Sequence, residues 1–468
     1  MHDAVVVFSF AILQALLSTT LSILLALPIA HFFYRFDFPL KRLFVALASM
    51  LCIMPTKIVV LCITLFYGAT GFTGIILAHL MLNLPFVLYI IGTTYEKIDT
   101  TLLWLAADLG ATPWRCYKDI IFPLLRPSIV SIALLLFLLH FSSFSIPLLL
   151  GGELQHNTPE IMMYQWYNNG NNFLALGYWV LRLLIILPLF IIHNRFSVQG
   201  VKISSLPKPV PREIYSPRKY SIWWFVYCGA IAVALVGPIV ALLYRAFSRE
   251  VFSFFGSIFG GVVDATLGIV VYHVIINSVL LAVVSGIGSV LLGFLIGSLE
   301  MRMKSKVGNA LISFFTVFAF IVGSVGCGII FAGLSYGKFF SSFAIGVLAH
   351  MFLNYAFAYR IIRAQLVLYH NDLHKTAQTC GATLKKAVWT VALPFVFPAL
   401  CRAFCVSFGL SLTEVGAGAV LQGKIGLTLP MAIRMYRKAG NEVAVIGLSL
   451  ILLGLAFGVA YGFMYKDA

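Results

Sequence analysis

The sequence predicts an all-α polytopic membrane protein of about 11 transmembrane helices, arranged as two parallel pseudo-repeats. Three observations carry that prediction. Composition is the first: of 468 residues, 61% are hydrophobic and 10% charged, with a mean hydropathy of +0.99. Soluble chains average about 45–50% apolar and about 25% charged. The second is a series of long apolar runs, each enough to cross the roughly 30 Å of bilayer hydrocarbon in about 20 residues. The third is a self-match of the chain at an offset of 271 residues. Together they exclude a disordered chain, a disulfide scaffold and an ordinary soluble enzyme.

The expected spans are about 4–34, 43–67, 72–95, 126–150, 173–194, 221–246, 267–299, 308–334, 338–364, 397–421 and 441–465. The runs are continuous, without the dyad alternation of barrel strands, so helices are expected. The first run has no basic segment before it and is too long for a signal peptide, so it reads as a true span. Net charge is +16, and its distribution fixes an orientation. With the segment after the first span inside, 23 of the 32 bases are cytoplasmic, seven are external, and Lys57 and Arg182 lie within spans. The positive-inside rule therefore places the N-terminus outside and the C-terminus in the cytoplasm. The charge excess is an orientation signal and not a nucleic-acid footprint.

The repeat is explicit. Leu77-Ala78-His79 with Asn83 returns as Leu348-Ala349-His350 with Asn354. In the same register Ala106 meets Ala377, Gly110-Ala111-Thr112 meets Gly381-Ala382-Thr383, Pro123 meets Pro394 and Pro127 meets Pro398. After one deletion Thr158 meets Thr428. The copies are six spans apart, an even number, so they run parallel. Residues 195–220, with Pro207, Pro209, Pro211 and Pro217 among bases, read as a cytoplasmic linker. The halves are then 1–194 with five spans and 221–468 with six, the extra one being 221–246.

Two cytoplasmic segments, 104–123 and 375–394, share one design: short helix, Gly turn, short helix, then Pro opening a span. These elbows resemble the EAA loop of binding-protein-dependent ABC importer permeases: Glu-Ala-Ala, three residues, Gly, nine residues, an aliphatic, one residue, Leu-Pro. The matching positions are Ala106, Gly110, Ile120 and Pro123, and Ala377, Gly381, Val391 and Pro394. The family's Glu is replaced by Trp104 and Lys375, and its first Ala by Leu105 and Thr376. The resemblance implies a bacterial inner-membrane location. It also implies one ATPase subunit on each loop, hence two copies, and a periplasmic or lipid-anchored solute-binding protein outside. ATP-Mg would sit on the partner ATPase, with no cofactor on this chain.

Two halves on one chain resemble the fused thiamine and ferric-iron permeases. Leu77-Ala78-His79 with Asn83-Leu84-Pro85, and Gly151-Gly152 followed by Thr158, Glu160 and Tyr164, resemble the thiamine type. Ser411-Leu412-Thr413-Glu414-Val415-Gly416 and Thr428-Leu429-Pro430 fit both. That type has six spans per half, which implies that a first helix is absent, either because the start is short or because an upstream segment is missing.

Intramembrane polar residues are the candidates for a translocation path. Glu414 is the one acid well inside an expected span, where a charge is costly and faces a bundle interior or water. A path-lining acid for a cation and a helix-fixing hydrogen bond are both open readings, and its repeat partner is Ser143. His79/Asn83 and His350/Asn354, at i and i+4, share a helix face and favour interhelical hydrogen bonds over solute contact. Lys57 has the reach to snorkel outward, and Arg182, nearer mid-span, is expected to be paired.

Other features read as structural. The eight cysteines show no external disulfide framework, Cys401 and Cys405 alone make no metal site, and Gly293/Gly297 form a GxxxG contact. Residues 151–172 and 422–440 are matched outer segments suited to a binding protein, with 428–438 as a short amphipathic helix on the outer surface. No phosphate-cradling Gly-x4-Gly-Lys-Ser/Thr and no nucleophile–base set occurs, so the chain reads as a transport subunit and not an enzyme. The rival from another class is an ion-gradient-driven secondary transporter, which also uses parallel repeats but needs more intramembrane ion sites than Glu414.

Overall fold

A computed structural model gives the fold. It describes all residues except 1, 38–50, 52–53, 96–97, 99, 152–156, 199–212, 215–222, 260–262, 265–267, 335–340, 369–378, 382, 384–389, 392, 465–468 and scattered positions in 304–320. The sequence is helical throughout because apolar runs in lipid must pair every backbone N–H and C=O within the segment. The first stretch gives α1 (His2–Arg35), α2 (Thr56–Tyr67), α3 (Gly71–Tyr95), α4 (Thr100–Asp108) and α5 (Pro113–Cys116). Then follow α6 (Phe122–Phe141), α7 (Ser145–Leu150), α8 (Pro159–Asn168), α9 (Asn172–Val198) and α10 (Trp223–Ala246). The remainder is α11 (Arg249–Phe259), α12 (Val271–Arg302), α13 (Ser324–Leu334), α14 (Ser342–Leu368), α15 (Leu393–Thr413), α16 (Gly416–Ile425), α17 (Leu429–Lys438) and α18 (Glu442–Met464). Two-residue pairings, Phe36–Asp37 with Glu213–Ile214 and Val263–Asp264 with Ile269–Val270, are the β structure among the described residues.

Among the described residues, nine helices are long and apolar enough to cross a membrane. The expected spans 43–67 and 308–334 are described only as the shorter apolar helices α2 and α13. Residues 43–50 and several of 308–320 lie outside the described residues, as does most of the 195–220 linker.

Two expected spans are corrected. Neither 126–150 nor 397–421 is one helix: the first breaks after Phe141 and the second after Thr413. Hydropathy averages over such breaks because the residues around them are apolar or small. In the first repeat, Pro147 has no N–H to give to the Ser143 carbonyl, which would be its helical acceptor. That carbonyl accepts instead from the Thr158 hydroxyl at 3.1 Å. In the second repeat, Glu414 stands in the break itself.

Contacts group the chain into two compact units. One is Met1–Met162 with Gly177–Tyr244, the other Met163–Leu176 with Arg245–Ala468. This grouping departs from halves divided at 195–220, chiefly at α10. Within the first unit Tyr67 Oη donates to Ala234 O at 2.8 Å, and Tyr227 Oη to Leu25 O at 3.1 Å. Gly237 leaves room there for the Phe66 ring, since a Cβ would stand 2.8 Å from it.

Each unit has a three-helix core from equivalent parts of the repeat. In the first, α1, α3 and α6 pack together over Ile23, Ala26, Val87, Ile91, Leu125 and Ile132. In the second, α12, α14 and α15 bury Ala358, Ile362, Val396 and Ala403. Gly293 and Gly297 mark the α12–α14 contact: a Cβ at Gly293 would lie 2.7 Å from the Tyr359 nitrogen. Helix α17 forms where an amphipathic helix was expected. Its apolar side is buried in protein, with Leu429, Met431, Ile433 and Tyr436 covered, and α17 packs on α18.

Candidate functional site

The helix breaks bring the polar residues of each core together. In the first unit the His79 and His140 rings stack with centroids 4.4 Å apart, both almost fully buried. Asn83 Nδ2 donates to the His79 carbonyl at 3.0 Å and to His140 Nε2 at 2.9 Å. His140 Nε2 is therefore an acceptor, and in a neutral ring Nδ1 carries the proton and donates to Thr19 Oγ1 at 3.1 Å. Gln14 Nε2 donates to the His140 carbonyl at 2.8 Å. His79 meets Ser18 at Nδ1 (3.2 Å) and Ser143 at Nε2 (3.3 Å), so both its nitrogens are partnered.

The second unit repeats the positions with different side chains. His350 Nδ1 meets Ser411 Oγ at 2.7 Å, and Ser411 meets Ser285 Oγ at 2.8 Å. Ser411 and Ser285 stand where His140 and Gln14 stand in the other repeat. Asn354 Nδ2 donates to the Ser407 carbonyl at 3.3 Å, and Ser289, the counterpart of Ser18, donates to the Ser285 carbonyl at 2.7 Å, with Met351 O 3.3 Å away. Glu414, opposite Ser143 in the register, is partly buried in the α15–α16 break. Its Oε1 accepts from the Gly416 and Ala417 N–H groups at 2.7 and 3.2 Å.

Arg182 is fully buried and paired. Its Nη2 lies 3.0 Å from Glu160 Oε1 and donates to Ser142 Oγ at 3.1 Å. Lys57 is enclosed in protein in the first turn of α2, 3% exposed, so its side chain does not snorkel along a lipid face. Sequence reasoning missed His140, Gln14, Ser18, Ser285 and Ser411 in these clusters. Extending the 271-residue register to the first span pairs Gln14 with Ser285, Ser18 with Ser289 and His140 with Ser411, and would have found them.

Both elbows turn on glycine. Gly110 has φ +80° and Gly381 φ +77°, with open space where a Cβ would stand. Gly110 closes α4 as its C′ residue: its N–H bonds Ala107 O at 2.9 Å, and the Ala111 N–H bonds Ala106 O at 2.9 Å. Ile120 lies in a π-helical turn, Tyr117–Ile121, leading into α6 with Pro123 in its first turn. Val391 also lies in a π-helical turn, and Pro394 in the first turn of α15. Ala377 lies outside the described residues. The first elbow is apolar at its surface: Trp104 is 57%, Leu109 88% and Trp114 70% exposed.

On the opposite side of the sequence map, α8 and α17 end in the same turn. Gly170 (φ +78°) and Gly440 (φ +74°) occupy C′, and Asn171 and Asn441 cap the next helices through Leu174 N (3.2 Å) and Ala444 N (3.0 Å). Arg434 Nη1 donates to Tyr164 Oη at 3.3 Å, with the guanidinium carbon 5.4 Å from the ring centre. Among the described residues no group of three His, Cys, Asp or Glu side chains gathers in metal-binding geometry, and the seven described cysteines are unbridged.

Comparison with known proteins agrees with this architecture. The family model described as "Binding-protein-dependent transport system inner membrane component" matches twice, over residues 18–198 and 289–466. The thiamine transport system permease protein ThiP of Brucella abortus (strain 2308) is 25% identical over 484 aligned residues, covering 95% of this chain and 84% of that protein. ThiP of Escherichia coli (strain K12) is 33% identical over 178 residues, 34% of this chain and 33% of that protein. The ferric transport system permease protein FbpB of Actinobacillus pleuropneumoniae is 24% identical over 369 residues, 74% of this chain and 51% of that protein. With two copies of the family's domain on a polytopic helical chain, the protein belongs to the binding-protein-dependent transport system inner membrane components: a multi-pass ABC permease subunit, and not an enzyme.

Proposed function

We propose that this chain is the two-half permease of an ATP-driven importer that carries thiamine from an external binding protein into the cytoplasm. Two copies of an ATPase subunit dock on 104–123 and 375–394 and supply ATP-Mg. Closure of the ATPases moves the elbows, and the solute passes between the halves. The N-terminus is external and the C-terminus cytoplasmic, as the distribution of bases requires.

The matched pair of elbow glycines supports this reading most directly. A left-handed glycine at the same repeat position in both halves, φ +80° and +77°, gives each segment a turn of one hand, suited to two copies of one partner. The exposed tryptophans and leucines of the first elbow supply an apolar surface for that partner. Thiamine is favoured over ferric iron because the Brucella abortus thiamine permease aligns with 95% of the chain and the ferric permease with 74%.

Co-expression tests it. The purified permease should bring down an ATPase subunit, and the complex in nanodiscs should hydrolyse ATP faster when thiamine-loaded binding protein is added. A permease that runs alone and takes up solute on an ion gradient would overturn the reading.

A further inference from the structure

The two repeats treat one buried histidine differently. In the first, His79 Nδ1 and Nε2 meet Ser18 and Ser143. In the second, His350 is 1% exposed and its Nδ1 meets Ser411, yet among the described residues its Nε2 has no hydrogen-bond partner. The hydrogen bonds around it define which atom carries the proton. Ser285 spends its hydroxyl hydrogen on the Leu281 carbonyl at 2.6 Å. Ser411 must then donate to Ser285, and its oxygen accepts from His350 Nδ1–H. In a neutral ring this leaves a bare acceptor lone pair on Nε2, buried where an unsatisfied polar atom costs about 1–3 kcal/mol.

The position that partners Nε2 in the other repeat is occupied here by Glu414. Its carboxylate is held at the helix break by Gly416 and Ala417. Helix α13 ties the two residues to one locality: its Cys327 thiol bonds the carbonyl of Ala349, next to His350, at 3.5 Å, and Gly416, whose N–H holds the Glu414 carboxylate, packs against its Ser324 and Val325. An imidazole acceptor and a carboxylate thus stand where the first repeat has a closed His–Ser contact. Two groups are too few for a metal shell, and a cation bearing N–H donors suits the pair: N–H to the bare Nε2, positive charge beside the carboxylate.

We propose that His350 Nε2 and the Glu414 carboxylate form a binding site for an organic cation with N–H donors, present in the second repeat only. This rests on the permease reading and places the solute's recognition within the membrane on one side of the pseudo-symmetric chain. Ser143, in place of Glu414, makes the first repeat a closed structural version of the same site.

The test is equilibrium binding of radiolabelled thiamine to the intact permease–ATPase complex in nanodiscs. Glu414→Gln keeps the cap acceptor and removes the charge, and His350→Phe keeps the ring volume and removes the acceptor. Each should weaken binding at least tenfold, while Glu414→Asp stays within about threefold of wild type. Glu414→Ser, the first repeat's own residue, provides a second variant with a side chain already accommodated at this break and should also lose binding. Wild-type affinity in assembled Glu414→Gln, Glu414→Ser and His350→Phe complexes would overturn the site while leaving the permease reading intact. A wild-type complex that neither binds thiamine nor responds to the loaded binding protein would overturn both.

Discussion

Arg182 and Glu160 lie 3.0 Å apart with both side chains fully buried, joining α9 to the first turn of α8. The equivalent positions of the second repeat are Leu452 and Pro430, so the pair is not required by the fold the repeats share. Two buried charges repay their desolvation only as a pair, and removing one leaves the other stranded. Arg182→Leu should therefore lower stability by about 3–5 kcal/mol. The double change Arg182→Leu with Glu160→Gln should recover most of that. Thermal unfolding followed by a thiol-reactive dye reads this directly, because Cys62 and Cys327 are buried in the native protein. A single variant as stable as wild type would show that the pair contributes nothing.

The α12–α14 contact makes a finer distinction. A Cβ on Gly293 would press on the Tyr359 nitrogen and the Ala358 carbonyl carbon, at 2.7 and 3.0 Å, and backbone cannot yield cheaply. A Cβ on Gly297 would meet the Leu366 Cδ1 at 3.0 Å, the tip of a side chain that can rotate. Gly293→Ala should cost about 1–3 kcal/mol by overpacking, and Gly297→Ala clearly less. The same dye-based melting curve ranks them, and equal losses would mean that the helices do not approach at Gly293.

The spans and the repeat were legible because hydrophobic length and a fixed offset are properties of the sequence itself. So were the two glycine turns, since Gly110 and Gly381 are matched residues at which the chain needs a left-handed backbone. The helix breaks at Ser142–Phe144 and Glu414–Val415 were hidden because an apolar average does not register where one carbonyl changes partner. The placement of α10 was hidden because its partners, Phe66 and Leu25, are distant in sequence and ordinary in type. Arg182 could be read as paired, but its partner Glu160 sat in a segment taken for an outer loop.

The apolar surface of the first elbow should affect partnership and not folding. Trp104, Leu109 and Trp114 are more than half exposed, and surface substitutions away from special features change stability by about ±0.5 kcal/mol or less. Trp104→Glu and Leu109→Asp should leave the melting curve in place. Leu109→Asp should reduce the ATPase subunit recovered with the permease severalfold, since a carboxylate enters an apolar contact without a partner. Trp104→Glu installs the acid usual at that position in the family the elbow resembles. It should bind well only to an ATPase whose cleft offers a basic group. Undiminished recovery of the ATPase with Leu109→Asp would remove this surface from the interface.

The elbow glycines test force transmission. At φ +80° and +77°, with no described residue within 4 Å of where a Cβ would stand at Gly110 or Gly381, the cost of a side chain there is carried by the backbone. That cost is about 1–2 kcal/mol for an ordinary L-residue in the left-handed region, and smaller for Asn. Gly110→Val is thus expected to rearrange the turn between α4 and α5 while leaving the buried core of α1, α3 and α6 intact. Uptake should fall at least tenfold with the permease still folded, and Gly110→Asn should restore a substantial part of it. Gly381→Val should behave alike, and the double Val variant should transport nothing while melting within a few degrees of wild type. The readout is ATP-driven thiamine uptake into proteoliposomes beside ATP hydrolysis by the same complexes. Full uptake by the double Val variant would mean that the turns position the loops without carrying the coupling between hydrolysis and transport.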